Sequence, residues 1–158
     1  GKALLETAQF NAHQARLYAD APDKTGPWLV TGAVLIAQQA AALALKAADD
    51  TIPAQSGATE LLLRAANKDR LPAPYTLPFG MASRQSFDRL VDARNSFMHP
   101  RGVAWFVSSD TLARGLPVAT GTVRHLMITQ PVMRDLCTEP AALTEALADI
   151  DGLAEFLS

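Results

Sequence analysis

The segment Arg94–His99, RNSFMH, holds the most informative combination of chemically active side chains in this chain. Arg94 carries a permanent positive charge, with Asn95 directly after it and His99 one further helical turn along. A guanidinium group binds phosphate or carboxylate through its forked N–H groups. A histidine that titrates near neutrality can move a proton to or from a bound group. The spacing therefore indicates an anion site with a proton-transfer group beside it.

The helix that carries this segment follows from the pattern FDRLVDARNSFM, which runs from Phe87 to Met98. At about 100° per residue, Arg94 falls in the middle of the apolar face of that helix. The apolar face consists of Phe87, Leu90, Val91, Phe97 and Met98. The polar flank consists of Asp88, Asp92, Asn95 and His99. Because an arginine keeps its charge when it is buried, the pattern predicts an anionic partner for Arg94.

Pro100 fixes the end of the same helix, because the residue before a proline disfavours helical geometry. His99 then lies at a helix C-terminus, where the exposed carbonyl groups favour the imidazolium form. Asp88 and Asp92 act in the same direction, so we predict a raised pKa for His99.

A structural interpretation accounts for the same residues without any ligand. Arg94 could pair with a carboxylate of a neighbouring helix, and His99 could simply cap its own helix end. The candidate carboxylates are Glu6, Glu60 and Glu145. Spacing alone favours this structural interpretation, and both interpretations stay open at the level of sequence.

The elements that must position these residues are helices within one domain over residues 1–158. The chain is 49% apolar and 19% charged, which is typical of a globular protein with one core. Helical periodicity covers residues 3–19, 28–48, 59–66, 83–99, 110–133 and 138–157. We therefore predict an all-α fold, an antiparallel bundle of five or six helices. Residues 103–107 could form one short extended segment, and Ser83 is the expected cap of the helix that carries Arg94.

Residues 28–48 carry no charge before Lys46 and are long enough to span a bilayer. Gln38 and Gln39 lie in the middle of this segment, and alanine makes up nearly half of it. These features favour a central helix of a bundle, and we expect no membrane contact.

Charge and cysteine content restrict the function classes further. The net charge of −2 excludes the overall basic field that drives non-specific nucleic-acid binding, so any RNA contact must be local. Cys137 is the single cysteine, which excludes an internal disulfide and leaves no zinc-type spacing. We expect a core thiol, no metal or other cofactor, and a cytoplasmic protein with no export signal.

Arg94-Asn95, three intervening residues and His99-Pro100 resemble the Arg-x4-6-His motif of the HEPN superfamily, the higher eukaryotes and prokaryotes nucleotide-binding domains. The resemblance implies a metal-independent endoribonuclease. In that role Arg94 binds the scissile phosphate, His99 acts as acid or base, and Asn95 positions either group. It also implies a homodimer with facing motifs, often within toxin-antitoxin or other defence systems. Arg101 follows His99 closely and is the candidate for a further RNA phosphate contact.

Two other functions stay open. The chain could be a non-catalytic HEPN-like module that binds RNA or a nucleotide through Arg94 and Arg101, or that partners a nucleotidyltransferase. It could also be a structural protein that dimerises through its apolar helices.

Several further residues have more ordinary expected roles. His125 is a weak secondary candidate for a basic pocket, and core packing is favoured for Trp105 and Phe106. Arg84 and Arg89 are expected to pair along their own helix with Asp88 and Asp92.

Overall fold

The computed structural model describes residues 1–98 and 105–158, and these residues form an all-α bundle without strands. Six α-helices follow one another: α1 (Lys2–Leu17), α2 (Pro22–Ala47), α3 (Ala58–Ala65), α4 (Met81–Met98), α5 (Ser109–Arg124) and α6 (Pro140–Leu157). A π-helical turn, His125–Thr129, extends α5, and a short 3-10 helix spans Arg134–Leu136. The predicted all-α class is therefore confirmed.

The central helix is α2, which packs against α1, α3, α4 and α5, while α6 closes the bundle against α1 and α5. By length and composition alone α2 could cross a membrane, yet 61% of its most apolar window is buried inside the bundle. Its exposed surface is reduced to a narrow stripe that includes Lys24, Trp28 and Leu35. This is the arrangement of a central bundle helix.

Three boundaries differ from the sequence prediction. The helix α2 begins at Pro22 instead of near Trp28, with Pro22 in the first turn and Pro27 inside the helix. Pro27 is tolerated because the carbonyl that it leaves without a helical partner belongs to the exposed Asp23. The helix α4 begins at Met81, so Ser83 lies inside it and does not cap it.

The third difference concerns the helical region predicted over residues 110–133. The α-helix ends at Arg124 and continues only as the π-helical turn to Thr129. Gln130 leaves helical geometry, with φ −129° and ψ 63°, because it precedes Pro131. Residues 105–107 form no strand, and positions 103 and 104 of the expected extended segment lie outside the described residues.

A buried carboxylate fastens the end of α2 to α3 and the loop beyond it. Asp49 takes a left-handed conformation, φ 59°, and the amide of Asp50 returns to the carbonyl of Leu45 at 2.9 Å. The Asp50 side chain, 5% exposed, accepts hydrogen bonds from Arg64 at 2.8 and 3.2 Å and from Arg70 at 2.9 Å. The hydrogen bond from Arg64 is the main cause that lowers the pKa of Asp50 below its ordinary value.

Replacing Asp50 by asparagine is expected to lower the free energy of unfolding at pH 7 by about 2 kcal/mol, the scale of hydrogen bonds to a charged group. Because the pKa of Asp50 is lowered in the folded state, its contribution is present above the unfolded pKa. That contribution is lost as the pH falls from about 4 through the folded pKa. Denaturant unfolding should show a smaller difference in the free energy of unfolding between wild type and variant at pH 3 than at pH 7. An equal gap at both values would contradict the role of the ionised carboxylate.

Candidate anion-binding groove

A surface groove of about 340 Å³ lies between α2 and α4. Its lining, which we call the Arg94 groove, consists of Thr31, Leu35, Gln38, Arg94, Asn95 and Met98. Three of these side chains recur at helical spacing along the exposed stripe of α2, and the other three belong to the C-terminal part of α4. The structure thus places two of the sequence-predicted site residues, Arg94 and Asn95, side by side.

The Arg94 guanidinium is half-buried, and its closest partner is a neutral amide. Its Nε and Nη2 groups donate to Oδ1 of Asn95 at 3.2 and 3.0 Å. Within residues 1–98 and 105–158, no carboxylate lies within 4.0 Å of it. Burial lowers the pKa of Arg94 from its ordinary value, although such a group stays charged at neutral pH. A partly desolvated cation therefore faces an open groove.

The structural interpretation required an ion pair from Arg94 to Glu6, Glu60 or Glu145. None of these pairs forms in the described part of the chain, and Glu6 instead lies 4.0 Å from Lys2. Arg94 is thus held in place by Asn95 and by its helix rather than by a carboxylate.

The position of Arg94 relative to the core differs from the sequence prediction. The fully buried side chains of α4 are Phe87 and Leu90, whereas Met98 is 57% exposed. The last turns of α4 lie against the outer stripe of α2 and not in the core, so the predicted apolar face is exposed toward its C-terminal end. Arg94 therefore lies at the edge of the buried surface, where a ligand from solvent can reach it.

Of the predicted polar flank, Asn95 lines the groove, whereas Asp88 and Asp92 do not. Asp88 accepts a hydrogen bond from the Thr59 hydroxyl of α3 at 2.8 Å, and Asp92 is exposed outside the groove lining. His99 and Arg101 lie outside the described residues. The raised pKa predicted for His99 therefore stays a prediction.

An aromatic cluster next to the groove escaped the sequence reasoning. The rings of Trp28 and Phe97 meet edge to face with centroids 5.5 Å apart, and Phe97 meets Trp105 in the same way at 6.0 Å. Trp105 also donates from Nε1 to the carbonyl of Ala93 at 2.8 Å. These contacts fix the helical turn that carries Arg94. The sequence signal that could have revealed this cluster is Trp28, which lies at helical spacing from Thr31 and Leu35.

The remaining expectations have mixed outcomes. Trp105 packs against the core as predicted, but Phe106 is 81% exposed, so its predicted core packing is wrong. Cys137 is half-buried against the core cluster. His125 lies away from the groove, with Nε2 3.2 Å from the carbonyl of Tyr75.

The arginine pairs predicted along α4 are only partly confirmed. Arg84 lies 3.9 Å from Asp88, as expected. Arg89 instead lies 3.7 Å from Asp110, because the start of α5 packs beside α4 and offers it a closer carboxylate than Asp92.

Among residues 1–98 and 105–158, the groove lining holds one partly desolvated cation, Arg94. No protein-family model, curated protein or solved structure matches this chain. The resemblance to HEPN domains therefore stays a hypothesis that depends on the residues Arg94 to Pro100.

Proposed function

We propose that the chain is a HEPN-like, metal-independent endoribonuclease whose Arg94 groove receives the scissile phosphate. The observation that supports this proposal is the half-buried Arg94 guanidinium, whose partner in the described residues is the neutral amide of Asn95. Such a charge gains most from an anion, because it is already partly stripped of water. Phosphate matches the planar fork of the guanidinium.

In the proposed reaction RNA supplies its own nucleophile. The ribose 2′-hydroxyl gives up its proton, its oxygen bonds to phosphorus, and the bond from phosphorus to the 5′-oxygen breaks as that oxygen gains a proton. The products are a 2′,3′-cyclic phosphate and a 5′-hydroxyl. Arg94 stabilises the charge that develops on the phosphoryl oxygens, and Asn95 orients the guanidinium. His99 is assigned one of the two proton transfers.

The proposal includes a homodimer in which two Arg94 grooves face one another. Leu35 and Met98 are exposed on the groove walls, 39% and 57% respectively, and would lose this apolar exposure against a second copy. The resemblance implies a role in a toxin-antitoxin or defence system, and the single cysteine favours the cytoplasm as its location. An antitoxin would be the expected protein partner in such a system.

A second candidate function is a non-catalytic module that binds RNA or a nucleotide, or that partners a nucleotidyltransferase. The same Arg94 groove supports it, since a half-buried cation with a neutral partner binds phosphate with or without cleavage. Arg101 would add a second phosphate contact.

The test is cleavage of single-stranded RNA and of transfer RNA by the purified protein in excess EDTA. We expect cuts that leave cyclic-phosphate ends and that disappear in His99→Ala protein with an unchanged circular dichroism spectrum. Cutting that survives both His99→Ala and Arg94→Ala would contradict the assigned roles. Absent cutting together with Arg94-dependent RNA binding would favour the binding module instead.

A further inference from the structure

A second groove, of about 660 Å³, lies between α1 and α2, next to the Arg94 groove. Its walls are mainly apolar and include Phe10 and Leu17 from α1 and Trp28 from α2. The polar side chains at its edges are Gln14, Asp20 and Lys24. Its volume lies in the range of small-molecule binding sites.

Trp28 lies in the wall of the α1–α2 groove and contacts Phe97 of α4, the helix that carries Arg94. Trp28 is 49% exposed and lines the α1–α2 groove, while its ring packs in an edge-to-face contact with the Phe97 ring on α4. Phe97 is held in turn by Trp105, so the Trp28 ring is fixed although half of it is open to solvent. A rigid, exposed ring loses little conformational entropy when another flat ring stacks on it.

Positive charges flank this ring on both sides. Lys24 lies one helical turn before Trp28 on the same stripe of α2, and Arg94 lies on α4 one turn before Phe97. In the part of the chain that the structure describes, no carboxylate comes within 4.0 Å of the Lys24 ammonium group. Leu35 lines the same groove as Arg94, and it lies about 16 Å from Lys24 along the axis of α2. A single-stranded nucleic acid, which alternates phosphates with flat bases, complements two cations that lie on either side of an aromatic ring.

We propose that Trp28 is a stacking platform for an unpaired base of single-stranded RNA whose neighbouring phosphate lies at Arg94. This inference depends on the proposed function in one respect, the assignment of a phosphate to Arg94. Lys24 contacts a further phosphate, and Gln14 and Asp20 offer acceptors to an amino group on the edge of the base. Duplex RNA is excluded from this contact, because its bases are stacked on one another and present no free face.

The test measures binding separately from cleavage. The probe is a fluorescein-labelled single-stranded RNA with 2′-O-methyl riboses, which lacks the nucleophilic hydroxyl, and the readout is fluorescence anisotropy in EDTA. Trp28→Leu keeps an apolar side chain but removes the aromatic face, so we expect binding to weaken about tenfold, the scale of one base stack. Trp28→Tyr should retain most of the affinity. Duplex RNA of the same sequence should show no difference between these proteins.

Phe156→Leu is the matched control, because Phe156 is a 74% exposed aromatic residue on α6, outside both grooves. Equal losses of RNA affinity in Trp28→Leu and Phe156→Leu would overturn the proposed platform. An RNA affinity that Trp28→Leu leaves unchanged would overturn it as well. Sedimentation of each protein adds a third criterion. A dimer that becomes a monomer in Trp28→Leu would show that a second copy covers this ring, which also overturns the proposal.

The two proposals fail in different ways. RNA binding that depends on Trp28 in a protein that never cleaves RNA would remove the ribonuclease and leave the platform supported. Cleavage that depends on Arg94, with binding indifferent to Trp28, would remove the platform alone.

Discussion

Arg94→Ala should lower the rate of RNA cleavage by at least about 100-fold, the usual effect of removing one preorganised donor from a developing oxyanion. Among the described residues, its guanidinium is the cationic group in the lining of the groove between α2 and α4. Asn95 supplies an acceptor to Arg94 and cannot replace its charge. Arg94→Lys should recover only part of the rate, because an ammonium group is a point charge without the planar fork. Single-turnover cleavage of a labelled RNA measures all three proteins.

Arg89→Ala is the matched control for this prediction. Arg89 lies on the same helix, is exposed, and has Asp110 as an ion-pair partner 3.7 Å away. Its removal changes the net charge by the same amount, so a general electrostatic contribution to RNA binding would appear in both variants. We expect less than about a threefold change for Arg89→Ala. Similar losses in both variants would contradict a specific role for Arg94.

Thermal stability separates the ligand role of Arg94 from a structural one. Burial lowers its pKa, which means that the folded state disfavours the charged form relative to water. Arg94→Ala should therefore leave the melting temperature unchanged or raise it slightly. An arginine held in a buried ion pair would instead cost about 3–5 kcal/mol on removal. A large loss of stability would support the structural interpretation of this residue.

The fold could be predicted from sequence because the helices carry their own periodicity. The apolar positions of α6, among them Leu143, Leu147 and Ile150, recur at helical spacing and are all buried. Boundaries were less predictable at prolines. The pattern predicted a helix start near Trp28, but the helix begins at Pro22 and contains Pro27, since one unpaired carbonyl near an exposed helix end can bond to water.

Only the part of the candidate site that lies on one helix could be predicted from the sequence. Spacing identified Arg94 and Asn95, which are neighbours on one helix. Spacing could not identify Thr31 or Gln38, since their approach to Arg94 depends on how α2 packs against α4. The same packing directed Arg89 to Asp110 on α5 rather than to a residue of its own helix. Contacts between helices thus decide both the groove and the pairing of charges around it.

Gly32→Ala should lower the free energy of unfolding by about 2 kcal/mol, the scale of an overpacked core. Asn11 of α1 is fully buried against α2. The orientation of its amide that satisfies both neighbours turns the nitrogen to the carbonyl of Leu29 at 2.9 Å and the oxygen to the amide of Ala33 at 3.2 Å. A Cβ atom at Gly32 would come within 2.6 Å of the Asn11 side chain. Asn11 cannot move away without breaking these hydrogen bonds, so α1 and α2 must separate.

Gly152→Ala is the opposite case in α6 and serves as the control. A Cβ atom there meets nothing within 4 Å, and the position is exposed. Alanine should therefore stabilise the protein by about 0.5–1 kcal/mol through its higher helix propensity. Thermal unfolding followed by circular dichroism should show Gly32→Ala melting about 4–8 °C below wild type and Gly152→Ala slightly above it. Because α1 and α2 also form the walls of the α1–α2 groove, equal melting temperatures for the two variants would contradict the close helix contact that shapes this groove.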